Sequence, residues 1–188
     1  NINNKLSEPI KILVLGGSQG AKFFDTKIKD LIINLSNFFN ICLSQQIYDE
    51  KKIEELKSIY DEKKIENDLF KFDNKLHEKL NFFDLAITRS GASAISELSY
   101  LNIPFIAVPF PHARDNHQFY NAKYYKDKNC CWLIKQDDFE IEKMTDFVKN
   151  LMLNQSDYLS KKDNLINNSY QNTWNNINEK LVDLANDN

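Results

Sequence analysis

Three short segments hold the residue types that could do chemistry in this 188-residue chain. The first is Gly16-Gly17-Ser18-Gln19-Gly20-Ala21, directly after the apolar run Lys11 to Leu15. Glycines in that place let bare backbone N–H groups approach an anion at the positive end of a following helix, so a phosphate or diphosphate is the natural guest. The second is Thr88-Arg89-Ser90-Gly91-Ala92-Ser93-Ala94-Ile95-Ser96-Glu97. Ser90 suits an N-cap and Gly91-Ala92-Ser93 leave the helix start uncrowded, which predicts a second anion site. Glu97 falls on the same helical face as Ser90, Ser93 and Ala94, about 10 Å along the axis. A carboxylate there can accept both hydroxyls of a ribose whose diphosphate lies at the helix start. The third segment runs from Pro109 to Asn121. With a helix starting near Asn116, His117, Gln118 and Asn121 fall within about one turn and present imidazole and amide groups suited to sugar hydroxyls.

Other chemistries fit these residues less well. The glycine turn is not a nucleoside-triphosphate loop, because no Gly-Lys-Ser/Thr follows. It is not a dinucleotide fingerprint, because the glycine spacing differs and Ser44-Gln45-Gln46, after the second apolar run, lacks the acid that would hold an adenine ribose. Gly16 to Gly20 does match the Gly-x-Ser-x-Gly elbow of α/β-hydrolases, with Ser18 as nucleophile and Asp115 and His117 following in triad order. That elbow needs several earlier strands, one of them leading into an oxyanion loop, and only ten residues precede the first strand here. His112, Asp115 and His117 crowd three candidate metal ligands into six residues with no orienting partner in view, a weak signal for a metal site.

These segments need a scaffold that aims them at one point. Short apolar runs predict strands at 11–15, 38–43, 68–72, 84–88, 103–108 and 130–134. Helical spacing predicts helices at 21–35, 49–60, 75–81, from Ser90-Gly91 to about 100, 116–126 and 138–151. Strands alternating with helices imply right-handed crossovers and a parallel sheet covered on both faces. In such a sheet the turns after the strands share one edge, where ligands bind. The rare residue types gather there. All four glycines lie in the first two segments, Arg89 and Arg114 are the only arginines among 24 basic residues, and Pro104, Pro109 and Pro111 bracket the fifth strand. Toward the C-terminus, Ile166, Tyr170, Trp174, Ile177, Leu181 and Leu184 recur at helical spacing and predict one apolar stripe on a long helix.

Composition sets the outer limits. With 42% hydrophobic and 27% charged residues the chain reads as one folded domain rather than a disordered segment. A net charge of -3 gives no electrostatic footprint for nucleic acid, so none is expected as a partner. The longest near-continuous apolar run, Leu101 to Phe110, is about half of what a bilayer crossing needs. Cys42, Cys130 and Cys131 are odd in number, and no signal segment precedes them, which favours a reducing, cytosolic compartment. The first residue is Asn1, read here as the mark of a processed product or a fragment.

With those residues in view, the sequence from about Ile10 onward resembles the C-terminal, donor-binding domain of the MurG family, the N-acetylglucosamine transferases of bacterial peptidoglycan synthesis in glycosyltransferase family 28. The resemblance rests on Gly-Gly-Ser-Gln-Gly-Ala, on Arg-Ser-Gly-Ala with Glu97 at the right distance, and on Pro-x-Pro-x-Ala-x-x-x-His-Gln-x-x-Asn-Ala, in that order. It implies an α/β fold: a Rossmann-like, doubly wound parallel sheet of about six strands, forming the C-terminal half of a GT-B glycosyltransferase. Residues 1–9 would be a linker, 10–153 the UDP-sugar-binding domain and 154–188 its helical tail. The implied activity is inverting and metal-independent, with no cofactor. UDP-N-acetylglucosamine is the implied donor, lipid I the acceptor and lipid II the product. By the same resemblance Gly16, Gly17, Ser18, Gln19 and Gly20 would contact the diphosphate or sugar, and Phe72 and Asp73 would flank the uracil, largely through backbone. Arg89, Ser90, Gly91, Ala92 and Ser93 would serve the nucleotide end, Glu97 the ribose, and His117, Gln118 and Asn121 the N-acetylglucosamine. Asp73 and Lys75 depart from the residue types the family pattern leads one to expect. The base acting on the acceptor belongs to an N-terminal domain outside this chain, as does the main contact with the cytoplasmic face of the inner membrane. A standalone donor-binding subunit completed by a separate acceptor-domain chain, as in the eukaryotic dolichol-linked transferase, is the alternative from another class.

Overall fold

The computed structural model describes residues 6–170. Its strands are β1 (Ile10–Leu15), β2 (Ile41–Gln46), β3 (Glu66–Phe70), β4 (Leu85–Thr88), β5 (Phe105–Ala107) and β6 (Cys131–Leu133). The helices are α1 (Gly17–Ser36), α2 (Ile53–Glu62), α3 (Leu76–Lys79), α4 (Ala92–Tyr100), α5 (His117–Asp127), α6 (Ile141–Leu153) and α7 (Ser156–Tyr170). All six strands are parallel and stand in the order β3-β2-β1-β4-β5-β6. The order reverses between β1 and β4, and at such a switch point the two adjacent crossovers diverge to opposite faces and leave a crevice above the strand ends.

The strands are apolar on both sides because helices cover both faces. In β1, Ile12 and Val14 belong to one core with Phe24, Ile28 and Leu31 of α1, whereas Leu13 belongs to a second core with Ile95 and Leu98 of α4. Alternation along the strand sends successive side chains to opposite faces. Helix α1 buries Phe24, Ile28, Leu31, Ile32 and Leu35 completely, each worth about 1.5–3 kcal/mol of transfer free energy. The first turn of α1, which forms one wall of the crevice, therefore grows from a firmly anchored helix.

Two strands sit differently from expectation. The second begins three residues later, at Ile41, because the N–H groups of Phe38 and Phe39 donate to the Leu35 carbonyl (3.0 and 3.1 Å) and close the last turn of α1. Aromatic residues there look like strand, but Phe38 lies on the surface under the Lys149 ammonium, 3.6 Å from the ring centroid. Ser44-Gln45-Gln46 consequently ends β2 instead of following it. Buried Gln45 accepts from the Tyr60 hydroxyl through Oε1 at 3.1 Å, while its Nε2 has no hydrogen-bond partner among the described residues. The third strand is likewise displaced to Glu66–Phe70, leaving Phe72 and Asp73 in the turn beyond it.

Helix ends explain where the glycines went. Lys64, Asn102 and Asn129 take the left-handed conformation after α2, α4 and α5 (φ 58, 58 and 55°). The next amides, on Ile65, Ile103 and Cys130, reach back to the carbonyls of Tyr60, Leu98 and Tyr125. Glycine usually fills such positions. Here Asn and Lys do, and the glycines stand at the opposite end of the sheet. The long helix predicted for the tail is present as α7 through Tyr170; it buries Tyr158 and Leu165, and Ile166, the first residue of the predicted stripe, is 41% exposed. Trp174, Ile177, Leu181 and Leu184 lie outside the described residues.

Candidate functional site

A cavity of about 680 Å³ opens above the switch point, floored by the ends of β1 and β4 at Leu15 and Thr88. Around it stand Gly16 and Gly17 from the β1 turn, Phe72 and Asp73 from the β3 turn, Gly91, Ser93 and Glu97 from α4, and His117 and Gln118 from α5. Residues from all three predicted segments thus face one space. Ser18, Gln19 and Gly20 form the first turn of α1 beside it.

The electrostatics follow from two helix starts. Gly16 caps α1 and Gly91 caps α4, neither supplies a side-chain hydrogen bond, and neither first turn carries an acidic residue. A helix leaves its first amides without intrahelical partners, and the macrodipole adds about half a positive charge there. Most helices satisfy those amides with a Ser, Thr, Asp or Asn cap. Two helix starts whose own cap residues supply no acceptor, bordering one cavity, make a site for an anion, although the Gly17 amide at the start of α1 is already taken by Gln46 Oε1 (3.0 Å). Gly17 is the position that demands glycine, because its φ of +65° is left-handed. A Cβ there would meet the Arg89 Cβ at 3.9 Å, ordinary contact, so the requirement lies in the backbone.

Ser90 is corrected as the N-cap of α4. Gly91, extended at φ -62° and ψ 140°, takes that place. The Ser90 side chain is fully buried with no hydrogen-bond partner for its Oγ among the described residues, and its carbonyl accepts from Asn121 Nδ2 at 3.1 Å. Asn121 therefore stands behind the cavity surface and ties α5 to the β4 turn. Ala92, in the first turn of α4, contributes backbone. Arg89 borders the cavity, but its guanidinium is engaged below it: Nη1 donates to the carbonyls of Val108 (3.0 Å) and Pro109 (3.1 Å), and Nη2 to Gln136 Oε1 (2.6 Å). Burial draws its pKa down to about 10, still cationic at neutral pH.

On α5, His117 Nδ1 lies 2.7 Å from the Arg114 carbonyl. A carbonyl only accepts, so the neutral ring carries its proton on Nδ1 and offers Nε2 as an acceptor. The same bond separates His117 from the hydrolase triad, since its Nδ1 partner is a backbone carbonyl and not Asp115, whose carboxylate lies 3.5 Å from Arg114 Nε. Gln118 Oε1 accepts from the Phe110 amide at 3.0 Å, leaving its Nε2 donors for the cavity. Asp115 and Asn116 precede them in consecutive left-handed conformations (φ 51 and 57°), which turn the chain sharply into α5. Strain of that kind costs on the order of 1–3 kcal/mol per residue and persists where the surroundings hold it.

Phe72 is 79% exposed, a flat apolar wall at the rim. Beside it, the Lys79 ammonium and then the Lys75 amide hold the Asp73 carboxyl below the usual carboxylate range. Those bonds commit the Asp73 side chain to its own turn, at 3.0 Å to Lys79 Nζ and 2.8 Å to Lys75 N. Glu97 is exposed on the cavity wall, and its carboxylate makes no hydrogen bond or ion pair with the described residues. Among the described residues no three His, Cys, Asp or Glu side chains gather as a metal site, so His112, Asp115 and His117 do not form one.

Gln46 was missed. Its Oε1 accepts from the Gly17 amide (3.0 Å) and its Nε2 donates to the Lys71 carbonyl (3.3 Å), bridging the turns after β1 and β3. The signal is its place at the end of a strand next to β1, which a strand at 38–43 leaves outside.

Comparison with known proteins bears on the family and the fold. The model of the glycosyltransferase family 28 C-terminal domain matches residues 11–177. The UDP-N-acetylglucosamine--N-acetylmuramyl-(pentapeptide) pyrophosphoryl-undecaprenol N-acetylglucosamine transferase of Pelagibacter ubique is 39% identical over 185 residues, 98% of this chain and 52% of that protein. The Rickettsia bellii protein of the same name is 37% identical over 156 residues, covering 80% and 43%. The chain thus spans about half the length of the curated relatives it matches. Among solved structures, MurG of Acinetobacter baumannii superposes with a TM-score of 0.71 at 24% identity, over 83% of this chain and 45% of that one. Glycosyltransferase VinC, solved with dTDP, gives 0.64 at 15% identity, over 97% and 43%. At those identities the structures speak for the fold, a parallel six-stranded half of a GT-B glycosyltransferase. On the family match, the chain belongs to glycosyltransferase family 28 and carries its C-terminal domain.

Proposed function

We propose that this chain is the donor-binding half of an N-acetylglucosamine transferase, holding UDP-N-acetylglucosamine for transfer to lipid I to give lipid II in peptidoglycan synthesis. The observation that carries this reading is the meeting of two glycine-capped helix starts at one cavity, with a carboxylate that has no partner among the described residues, Glu97, six residues into α4. Six residues of helix rise about 9 Å, the span from a diphosphate to the far edge of its ribose. The diphosphate then sits against Gly16, Gly17 and the first turns of α1 and α4, with Ser18, Gln19 and Gly20 alongside. Glu97 accepts from the ribose diol. Phe72 stacks on the uracil and the Phe72-Asp73 backbone faces its edge. His117 Nε2 and Gln118 Nε2 meet the sugar hydroxyls, with Asn121 holding α5 against the β4 turn.

In the transfer, the acceptor hydroxyl displaces UDP at the anomeric carbon with inversion. The step needs a base for that hydroxyl and compensation for charge gathering on the departing diphosphate. The two helix N-termini supply the second, so no divalent ion is required. The base comes from the half of the relatives' length that this chain does not span. That half also carries the acceptor site and peripheral attachment to the cytoplasmic face of the inner membrane. Among the described residues no helix is long and apolar enough to cross a bilayer.

Thermal melting with UDP-N-acetylglucosamine, UDP-glucose and UDP tests the binding half of this reading, because a ligand specific for the folded form stabilises it with occupancy. The largest shift is expected with UDP-N-acetylglucosamine, and equal silence from all three ends the proposal. The 188-residue chain by itself binds donor and transfers nothing; lipid II made by the purified chain overturns that division of labour.

A further inference from the structure

Arg89 is 3% exposed, and a buried cation is tolerated only where its surroundings replace water. Among the described residues, replacements come from three chain segments. The Val108 and Pro109 carbonyls lie beyond β5, Gln136 lies beyond β6, and the rings of Phe23 and Phe24 belong to α1, their centroids 5.3 and 4.9 Å from the guanidinium carbon. The Phe110 ring closes the set at 5.5 Å. The Arg89 amide, meanwhile, donates to the Leu15 carbonyl at 2.9 Å and locks the turn after β4 to the end of β1. One residue thus touches every turn that surrounds the switch point on its β4 side.

The linkage continues into the crevice. Immediately after the clamped carbonyls of Val108 and Pro109, the Phe110 amide donates to Gln118 Oε1. Gln118 and its neighbour His117 are the α5 residues that line the cavity. We propose that Arg89 is a positioning residue, fixing the sugar end of the crevice relative to its phosphate end by clamping the chain between β5 and α5 against α1 and the β4 turn. This rests on reading the crevice as a nucleotide-sugar site. A planar guanidinium serves because it presents several donors in a fixed fork and stacks on aromatic rings at once; a lysine ammonium cannot do both.

A residue that touches phosphate and one that sets spacing leave different marks. Titration calorimetry of UDP and UDP-N-acetylglucosamine against the complete protein carrying this chain separates them, using wild type, Arg89→Met, Arg89→Lys and Gln136→Leu. Gln136 borders a neighbouring cavity and not the crevice, so it reports on the clamp alone. Expected is UDP affinity within about twofold of wild type in every variant, with UDP-N-acetylglucosamine weakened about tenfold in both Arg89 variants and less, in the same direction, in Gln136→Leu. Equal losses for the two ligands make Arg89 a phosphate ligand and overturn the proposal, as does an Arg89→Lys variant that binds like wild type. Should Arg89→Met fail to fold, Arg89→Lys and Gln136→Leu decide by the same criteria. If wild type binds neither ligand, or binds UDP as tightly as the sugar nucleotide, the donor-site reading fails and the clamp with it.

Discussion

Replacing Glu97 by Ala tests the geometry of the crevice with little disturbance of the fold. The side chain is exposed and makes no bond to the described residues, so the free variant stays within about 0.5 kcal/mol of wild-type stability. If its carboxylate accepts from both ribose hydroxyls, its loss costs roughly 2–3 kcal/mol of binding, hydrogen bonds to a charged group being worth about 1.5–3 kcal/mol. At about 1.4 kcal/mol per decade that is a 30- to 150-fold weaker dissociation constant for UDP. The thermal shift follows. Ligand at about 100 times the wild-type Kd stabilises wild type by about 2.7 kcal/mol, whereas a 30-fold weaker variant gains only about 0.9 kcal/mol at the same concentration. The control is 2′-deoxy-UDP, which lacks one of the two hydroxyls. Glu97→Ala should weaken it much less than UDP, so a cycle over protein and ligand isolates the carboxylate-hydroxyl bond. An unchanged UDP affinity refutes the assignment. Equal losses for UDP and its deoxy analogue also refute it, because the effect then belongs to the phosphate or to the fold.

Three further perturbations check separate parts of the account. Gly17→Ala forces a left-handed alanine at a cost of about 1–2 kcal/mol, which for a domain of this size lowers Tm by about 2–8 °C in the ligand-free melt; an unchanged Tm contradicts the positive φ. Phe72→Ala leaves the free melt unchanged, since the ring is 79% exposed, but removes a stacking partner worth about 1–3 kcal/mol from every uridine nucleotide, measurable by calorimetry with UDP. Asp84 carries a carboxyl raised above its ordinary pKa by burial, offset in part by the Lys11 amide and charge. Because the folded value lies above the unfolded one, the fold is favoured below the ordinary carboxylate range, and this contribution is lost as pH rises through the raised value. Asp84→Asn is therefore expected to be at least as stable as wild type at pH 7 by urea unfolding, with the advantage shrinking as pH falls toward 4. An advantage that grows on acidification contradicts the assignment.

The sequence carried the architecture well where periodicity was strong and locality sufficed. The run at Lys11 to Leu15 and the apolar face of the following helix allow one reading, and β4 is displaced by a single residue. Periodicity misled at Phe38 and Phe39, where two aromatics that resemble strand close a helix instead, and the error carried on to hide Gln46. The crevice residues stood out because their types are scarce in this chain, as four glycines and two arginines gathered at predicted strand ends. What scarcity could not reveal is direction. Arg89 is conspicuous in sequence, yet its guanidinium turns to carbonyls beyond β5 that are about 20 positions away, and Ser90, a good cap by composition, yields that role to an extended glycine. Both outcomes depend on long-range packing, which single-sequence patterns do not contain.

A crystal structure of the chain with UDP-N-acetylglucosamine bound is the most direct measurement. Density for the diphosphate between the first turns of α1 and α4, with both ribose hydroxyls on Glu97 and the sugar against His117 and Gln118, is the predicted result. A nucleotide sugar held elsewhere on the domain, or bound in the crevice with its ribose turned away from α4, contradicts it.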